Sequence, residues 1–428
     1  MTEISVYTSN SHSKPVLVIG GGIAGATTAI EAAEAGCQVI LVEKAPHLGG
    51  RVARMHQYFP KLCPPSCGLE INFRRLRENP QITVLTQAEV EVITGVPGDY
   101  EVTVRISPRF VTEACTLCGA CAAACPVERS DEFNYGLTKT KAAYLPHAMA
   151  YPPRFAIDRA SCREGCQACK QACQYGAIDL GQREGRKIFR VAAVVAATGW
   201  APYDAAKIEN LGFGRYANVV TNVILERMAA ADGPTGGRIL RPSDSAAPNR
   251  VAFVQCAGSR DENHLPYCSA VCCAASMKQA TYLRAIYPQA HVTIFYIDIR
   301  TLGRLEGFYS TVAADEKVKF VKGKVAKVEE EPHTHDLLVT AEDVLKGTKR
   351  SQRFDLVVLA TGIVPQTTGL PKDFALDEFN FLSTPEQSKG LYAAGCVRRP
   401  EEVSTVVQDA TGAALKALQC VARSSHHG

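Results

Sequence analysis

From Pro15 onward, short β-branched runs alternate with alanine-rich stretches of helical period, the pattern of an α/β sheet. Val16-Leu17-Val18-Ile19 is predicted as the first strand, residues 24–35 as a helix, Val39-Ile40-Leu41-Val42 as the second strand and Ile82-Thr83-Val84-Leu85 as the third. Residues 89–93 and 100–106 instead alternate apolar with polar positions, like strands of an antiparallel meander. The pattern breaks from about Arg109 to Leu180, where cysteine, glycine and proline replace it, and resumes with a strand over 187–197. That interval reads as an inserted domain. A second α/β region opens with Val251-Ala252-Phe253-Val254, continues through a helix over 276–287 and a strand over 292–296, and ends in a strand over 355–359. The expected organisation is a first domain over 1–108, the insertion over 109–180, the first domain's continuation and a linker over 181–245, a second α/β domain over 246–362, and a return to the first domain over 363–428.

A chain of 428 residues has room for two or three such domains. Its net charge of +4 is small for that length and is not concentrated in a basic block, so charge gives no reason to expect nucleic acid or an anionic membrane as partner. The cysteines change the picture. Seventeen of them, an odd number bunched at two- and three-residue gaps, read as metal ligands in a reducing compartment rather than as the disulfide frame of a secreted domain. The first fourteen residues, ending Ser11-His12-Ser13-Lys14, lack the apolar core of a signal peptide, and runs such as 191–197 are too short to cross a bilayer. The expected location is the cytoplasm, with any membrane link made through a partner. His426 and His427 carry no assigned role.

Gly20-Gly21-Gly22-Ile23-Ala24-Gly25 follows the first strand and opens the first helix, and Glu43 ends the second strand. In that context Gly20, Gly22 and Gly25 serve a tight turn, a close approach of backbone to a pyrophosphate, and helix–strand packing; the helix N-terminus faces the anion and Glu43 accepts from ribose hydroxyls. A plain glycine-rich turn is the competing reading, and the strand before it and the acid after it weigh against that. Lys44 begins a segment that ends in Gly49-Gly50-Arg51, Ala197-Thr198-Gly199 ends a later strand, and Gly390-Leu391-Tyr392-Ala393-Ala394-Gly395 precedes a stretch expected to turn helical near Thr405-Val406. These segments resemble the flavin motifs of the two-dinucleotide-domain flavoproteins related to thioredoxin reductase. The resemblance implies FAD, contacted through Lys44, Gly50, Arg51, Thr198, Gly199, Gly395, Thr405 and Val406, with the last helix pointing its N-terminus at the flavin ring. That family has an aspartate on the ribityl chain after the last glycine, whereas Cys396 stands here.

Cys115, Cys118, Cys121 and Cys125-Pro126 follow the spacing of cubane clusters, and Cys162, Cys166, Cys169 and Cys173 repeat it with one extra residue in the first gap. The fourth cysteine of each such run crosses to the other cluster, which assigns Cys115, Cys118, Cys121 and Cys173 to one [4Fe–4S] cluster and Cys162, Cys166, Cys169 and Cys125 to the second. A pair of structural zinc sites is the alternative; the rhythm favours cubanes. In thioredoxin reductase relatives the second domain has its own glycine fingerprint for NADPH. Here Cys256-Ala257-Gly258-Ser259-Arg260 and Cys268-Ser269-Ala270-Val271-Cys272-Cys273 stand before the helix instead. Cys256, Cys268, Cys272 and Cys273 read as a third [4Fe–4S] site, with inert buried thiols as the alternative, and the nicotinamide entrance is expected to be blocked. Cys63 and Cys67 are open between a flavin-coupled dithiol, a contact with a partner's cluster, and a proline turn. Cys37 and Cys420 read as packing residues, and the histidines show no pairing at ligand spacing.

The flavin motif, the two-cluster ferredoxin insertion and the Cys256…Cys273 loop together resemble the A subunit of heterodisulfide reductase over nearly the whole chain. The expected fold is α/β: a thioredoxin reductase-like flavoprotein of two dinucleotide-binding, Rossmann-like domains with an inserted ferredoxin domain. Within that family, Tyr58-Phe59-Pro60-Lys61-Leu62-Cys63-Pro64-Pro65-Ser66-Cys67-Gly68-Leu69-Glu70 and Lys141-Ala142-Ala143-Tyr144-Leu145-Pro146-His147-Ala148-Met149 resemble the A subunits of quinone-interacting membrane-bound oxidoreductase complexes. The resemblance implies a cytoplasmic protein peripheral to the inner face of the cytoplasmic membrane, docked on a haem-containing membrane subunit together with a second flavoprotein subunit. Its implied task is to exchange electrons between menaquinone and adenylylsulfate reductase in sulfate reduction. A flavin beside several one-electron centres also allows electrons of different potential to be split or merged. The competing functions are a free-standing NAD(P)H-dependent oxidoreductase, against which the missing second glycine fingerprint counts, and a redox sensor whose clusters are structural.

Overall fold

The structure, a computed structural model, describes residues 4–7, 14–301, 303–383 and 390–425. Ser11, His12 and Ser13 of the polar leader, and His426 and His427, lie outside them. Val16–Ile19, buried at every position, pairs in parallel with Val39–Glu43 on one side and Ala193–Ala196 on the other. Ile82–Thr86 and Leu391–Ala393 extend the sheet to five parallel strands, so the end of the chain returns to the first domain. Helices Ile23–Glu34 and Val403–Ser425 pack on one face through Ala26, Ala29 and Ala33 and through Ala410, Ala413 and Ala417, whose small side chains let the helices approach closely. A four-stranded sheet covers the other face, placing Val90, Val102, Val104 and Phe189 against Leu17, Ile40 and Val42.

The strand expected over 187–197 is two strands in two sheets. Gly185–Val191 belongs to the covering sheet and Ala193–Ala196 to the parallel one. The chain changes sheets at Ala192, whose N–H donates to Pro15 O at 2.8 Å, with no turn residue to mark the break.

The second sheet runs Val219–Thr221, Leu356–Thr361, Arg250–Ala257, His291–Tyr296, Val318–Lys322, all parallel, with a three-stranded antiparallel sheet beside it. Trp200–Pro202 and Ile363–Pro365 pair antiparallel where the chain crosses between domains. Residues after this crossing, including Ala205, Leu211 and Leu225, pack into the second domain's cores, within the interval 181–245 that the sequence pattern reads as the first domain's continuation and a linker. The helix expected to start near Ser276 is Cys272–Ile286, so Cys272 and Cys273 form its first turn rather than precede it.

In the insertion each cysteine run contains a short helix, Ala120–Ala123 or Ala168–Ala172, and a bridge between Val111 and Ile178 closes the unit. Arg109 fastens it to the first domain. Its buried guanidinium donates to Phe155 O at 2.9 Å and Arg154 O at 2.8 Å within the insertion, and to Pro46 O at 2.5 Å and Thr86 Oγ1 at 3.1 Å outside it.

Candidate functional site

A cavity of about 970 Å³ opens at the C-terminal ends of the first sheet's strands and continues to the second domain. In open α/β sheets this is where ligands bind. Its floor is the glycine turn. Gly20 has φ 107°, and a Cβ there would stand 2.4 Å from Ala197 O; a Cβ on Gly25 would stand 1.7 Å from Gly20 O. Gly22 differs: its nearest neighbour would be Gly50 Cα at 3.9 Å, so bare backbone faces open space on the cavity wall. These are the turn, the helix–strand contact and the cradle that a pyrophosphate requires. Glu43, half-buried at the cavity edge, accepts from Gly21 N–H at 2.5 Å and Ala45 N–H at 2.7 Å; desolvation nevertheless raises its carboxyl above the ordinary range.

Lys44, Gly50, Arg51, Thr198 and Gly199 also line the cavity. Lys44 lies 3.5 Å from the Glu89 carboxylate. Arg51 donates to Trp200 O at 2.5 Å and to the Tyr135 hydroxyl at 3.3 Å. Tyr135 comes from the insertion and lines the same cavity, a contact invisible in the sequence. Gly25 and Gly395 stand behind the wall, Gly395 packing under Val406 and Ala24. Cys396 lines the cavity, buried, its thiol donating to Glu401 O at 3.4 Å and pushed up to about 11 by burial.

The last helix departs from expectation. It begins at Val403 rather than near Thr405-Val406, and its first N–H groups are not free for a ligand. The Glu402 carboxylate accepts from Ser404 N–H at 2.8 Å and from Thr405 N–H at 3.0 Å. Glu402, Thr405 and Val406 all line the cavity, so an acid caps the helix end that faces it.

In the insertion, Cys115, Cys118, Cys121 and Cys173 surround one opening of about 20 Å³, with Cys118 exposed. Cys125 neighbours Cys162 and Cys169, and Cys166 neighbours Cys162. Cys173 thus stands with the first run and Cys125 beside the second, and Cys121 lies near Cys169. Among the described residues no three or more His, Cys, Asp or Glu side chains converge as they would on a single ion; in a cubane each thiolate takes a separate iron at a corner of the cluster.

Cys256, Cys268, Cys272 and Cys273 also converge. Cys256, Arg260 and Ala270 take φ values of 56°, 55° and 56°, a left-handed backbone that non-glycine residues adopt at a cost of about 1–3 kcal/mol each and that gathers at functional sites. Burial pushes Cys256 up to about 11 and raises Cys272 and Cys273. Such thiols are poor nucleophiles at neutral pH, and metal ligation is the chemistry that would draw the proton from several at once. Ala270, Val271 and Ala274 of this loop and helix line the main cavity, so the cysteines stand directly behind its wall.

One group carries no signal in the sequence. Glu226, fully buried, accepts from Lys278 at 2.9 Å, Gln279 at 2.9 Å, Tyr282 at 3.1 Å and the His56 and Gln57 N–H groups at 3.2 Å. Glu226, Lys278 and Gln279 line the cavity opposite the glycine turn. His47 and His147, which show no ligand spacing in the sequence, pack edge to face with ring centroids 5.1 Å apart; burial lowers them to about 3 and about 4, so both are neutral.

Comparison with known proteins agrees with this geometry. The FAD dependent oxidoreductase family matches residues 15–61 and the 4Fe-4S binding domain matches residues 108–128. Thioredoxin reductases from Lactococcus lactis and T. acidophilum superpose with TM-scores of 0.53 and 0.52, each at 14% identity, covering 96% of this chain and 99% of theirs. That likeness shows the fold. Fold and site define an oxidoreductase of the two-domain flavoprotein class with an inserted 4Fe–4S domain. The A subunit of the H(2):CoB-CoM heterodisulfide,ferredoxin reductase of Methanothermobacter thermautotrophicus is 37% identical over 94% of this chain. That of the ferredoxin/F(420)H(2)-dependent CoB-CoM heterodisulfide reductase of Methanosarcina acetivorans is 37% identical over 98%. The chain is a heterodisulfide reductase A-like flavoprotein. It spans 63% of the first relative's length and 54% of the second's. No helix among the described residues is long and apolar enough to cross a membrane.

Proposed function

We propose that the chain is the FAD and iron–sulfur electron-transfer subunit of a membrane-associated complex that exchanges electrons between menaquinone and adenylylsulfate reductase. One observation carries the electron-transfer reading: the loop where a nicotinamide fingerprint would stand holds four converging cysteines, behind the wall of the cavity that the glycine turn opens. FAD, when bound, supplies exchange between two-electron and one-electron carriers. Gly22, Glu43, Lys44, Gly50 and Arg51 would hold its phosphate and ribose part, and Thr198, Gly199, Cys396, Thr405 and Val406 line the rest of the cavity. Cys115, Cys118, Cys121 and Cys173 would ligate one [4Fe–4S] cluster, Cys125, Cys162, Cys166 and Cys169 a second, and Cys256, Cys268, Cys272 and Cys273 a third. Exposed Cys118 puts the first group at the surface, where a partner can exchange electrons.

The quinone-linked assignment rests on the segments at 58–70 and 141–149. It brings with it a place on the inner membrane face, beside a haem-containing membrane subunit and one further flavoprotein. The names of the relatives favour a second reading, in which the chain serves a heterodisulfide reductase. Anaerobic purification from the native host separates the two. Co-elution with a haem protein, and reduction of the complex by a menaquinol analogue, is the expected result; co-elution with a heterodisulfide-reducing partner and no haem supports the second. A solitary chain whose flavin is bleached rapidly by NADH or NADPH would sink both.

A further inference from the structure

One loop of the insertion, residues 131–138 at the tip of the hairpin Glu128–Ser130 and Lys139–Lys141, touches both α/β domains. The Asp131 side chain holds the loop together, accepting from Phe133 N–H at 3.0 Å, the Asn134 amide at 2.9 Å and the Thr138 hydroxyl at 3.0 Å, while Gly136 N–H donates to Asp131 O at 2.8 Å. Arginines from outside grip it. Arg54 of the first domain donates to Glu132 O at 3.1 Å and Arg227 of the second to Asn134 Oδ1 at 2.9 Å, and the two lie 5.3 and 4.8 Å from the centre of the buried Phe133 ring. The loop so fixed carries Tyr135 at φ 54°, a left-handed backbone that is costly for a bulky residue and persists only where its surroundings enforce it.

The Tyr135 side chain meets Arg51. Its phenol oxygen accepts from Arg51 Nη1 at 3.3 Å, and Arg54 lies 5.5 Å from the centre of its ring. Arg51 Nε donates to Trp200 O at 2.5 Å, with the guanidinium 4.9 Å from the Trp200 ring centre. Among the described residues nothing accepts from Arg51 Nη2, and Arg51, Tyr135 and Trp200 all line the main cavity. The sheet order fixes where along the cavity they stand. Glu43, the ribose acceptor, ends the strand on one side of the glycine turn, so the adenosine end of FAD lies there. The flavin end lies toward the other neighbour, Ala193–Ala196, which Trp200 follows.

We propose that Tyr135 is a positioning residue for the flavin: its hydroxyl holds the Arg51 guanidinium so that Nη2 faces the flavin end of the cavity, and the insertion thereby helps to set the flavin's potential. This rests on the reading that FAD occupies the cavity. A cation fixed beside a flavin favours the electron-rich reduced form over the oxidised one, so holding it there raises the potential and releasing it lowers the potential.

The test compares parent, Tyr135→Phe, Arg51→Met and the double variant as anaerobic protein loaded with FAD and iron. Tyr135→Phe keeps the ring and its contact with Arg54 and removes the hydroxyl alone. It should raise the FAD dissociation constant about fivefold, the worth of one net hydrogen bond, and shift the flavin midpoint potential downward, while iron content and the insertion's cluster signal stay as in the parent. In the Arg51→Met background the hydroxyl has no guanidinium to hold, so removing it should change affinity by less than about twofold and leave the potential where Arg51→Met alone puts it. Arg51→Lys, which keeps the charge but not the fork, closes the cycle if Arg51→Met does not fold. The proposal is overturned if the two losses multiply in the double variant, if Tyr135→Phe protein keeps the parent's affinity and potential, or if it loses iron along with flavin. Parent protein that takes up no FAD would overturn the reading of the cavity as well, whereas multiplying losses in protein that holds FAD overturn this inference alone.

Discussion

Gly22 and Gly25 are three residues apart in one turn, but the space around them differs, and so should the effect of a methyl group. At Gly25 the added carbon would overlap the Gly20 carbonyl, 1.7 Å away, and helix Ile23–Glu34 could no longer lie against its strand. Gly25→Ala is expected to cost about 3 kcal/mol of stability, at the upper end of overpacking penalties, and to lose FAD with it. Gly22 has ordinary extended backbone at φ −73° and no atom nearer than 3.9 Å, so Gly22→Ala should change stability by no more than about 0.5 kcal/mol yet place its methyl where the pyrophosphate needs backbone. Urea unfolding of the two variants, set beside their flavin content, separates these effects. A fold-stable Gly22→Ala protein that retains FAD as the parent does would show that the phosphates lie elsewhere. Glu43→Gln replaces a carboxylate that holds two N–H groups with an amide whose NH2 can face one of them. FAD retention should fall about tenfold, the worth of a charge-assisted hydrogen bond, while iron content stays unchanged because the cysteine groups lie in other parts of the fold.

Helix Cys272–Ile286 joins two functions in one element. Its first turn supplies Cys272 and Cys273, and its next turns present Lys278, Gln279 and Tyr282 to Glu226, tying it through Gln57 to the first domain. Burial alone would raise the Glu226 carboxyl, but the Lys278 charge and the hydrogen bonds prevail and its pKa is lowered. A carboxyl lowered by folding adds stability that is present above its unfolded value and is lost as the pH falls through its folded value. Acid should therefore loosen this contact below the ordinary carboxylate range, and Glu226→Gln should flatten that limb while lowering stability at neutral pH by about 3 kcal/mol, as for a broken buried pair. Urea midpoints measured against pH give both. This cluster also marks how far the sequence could be read. The glycine turn and the cysteine rhythms are written in residues a few positions apart, so local spacing alone brings their members near one another. Glu226 and Lys278 meet across 52 positions inside unremarkable amphipathic helices, and Tyr135 reaches the cavity from another unit. The sheet change at Ala192 carries no turn signal, and Glu402 caps the last helix from a position that reads as surface charge. Local chemistry was legible; pairing across the chain was not.

Electron entry depends on how the two domains and the insertion are joined. The antiparallel crossing of Trp200–Pro202 with Ile363–Pro365 sets the second sheet so that the loop after Arg250–Ala257 faces the flavin cavity. In that loop Cys268 is half-buried and receives the Ala270 N–H at 3.4 Å, while Cys272 and Cys273 are buried behind it. A nicotinamide would need the pyrophosphate turn that this loop replaces. NADH and NADPH are accordingly expected to leave the flavin of anaerobic, loaded protein largely unbleached, whereas dithionite reduces flavin and iron–sulfur chromophores together. The three four-iron clusters proposed would give about twelve irons per FAD, and Cys268→Ala should lower that to about eight while sparing FAD and the paired groups of the insertion. The variant should then keep its flavin reducible by dithionite but exchange electrons poorly with whatever docks on the loop. Iron analysis, flavin content and the spectroscopic signal of the insertion's clusters, measured on one sample, make the outcome readable. If Cys268→Ala protein retains about twelve irons and full exchange, the four cysteines are packing residues and electrons leave through the exposed Cys118 side of the insertion.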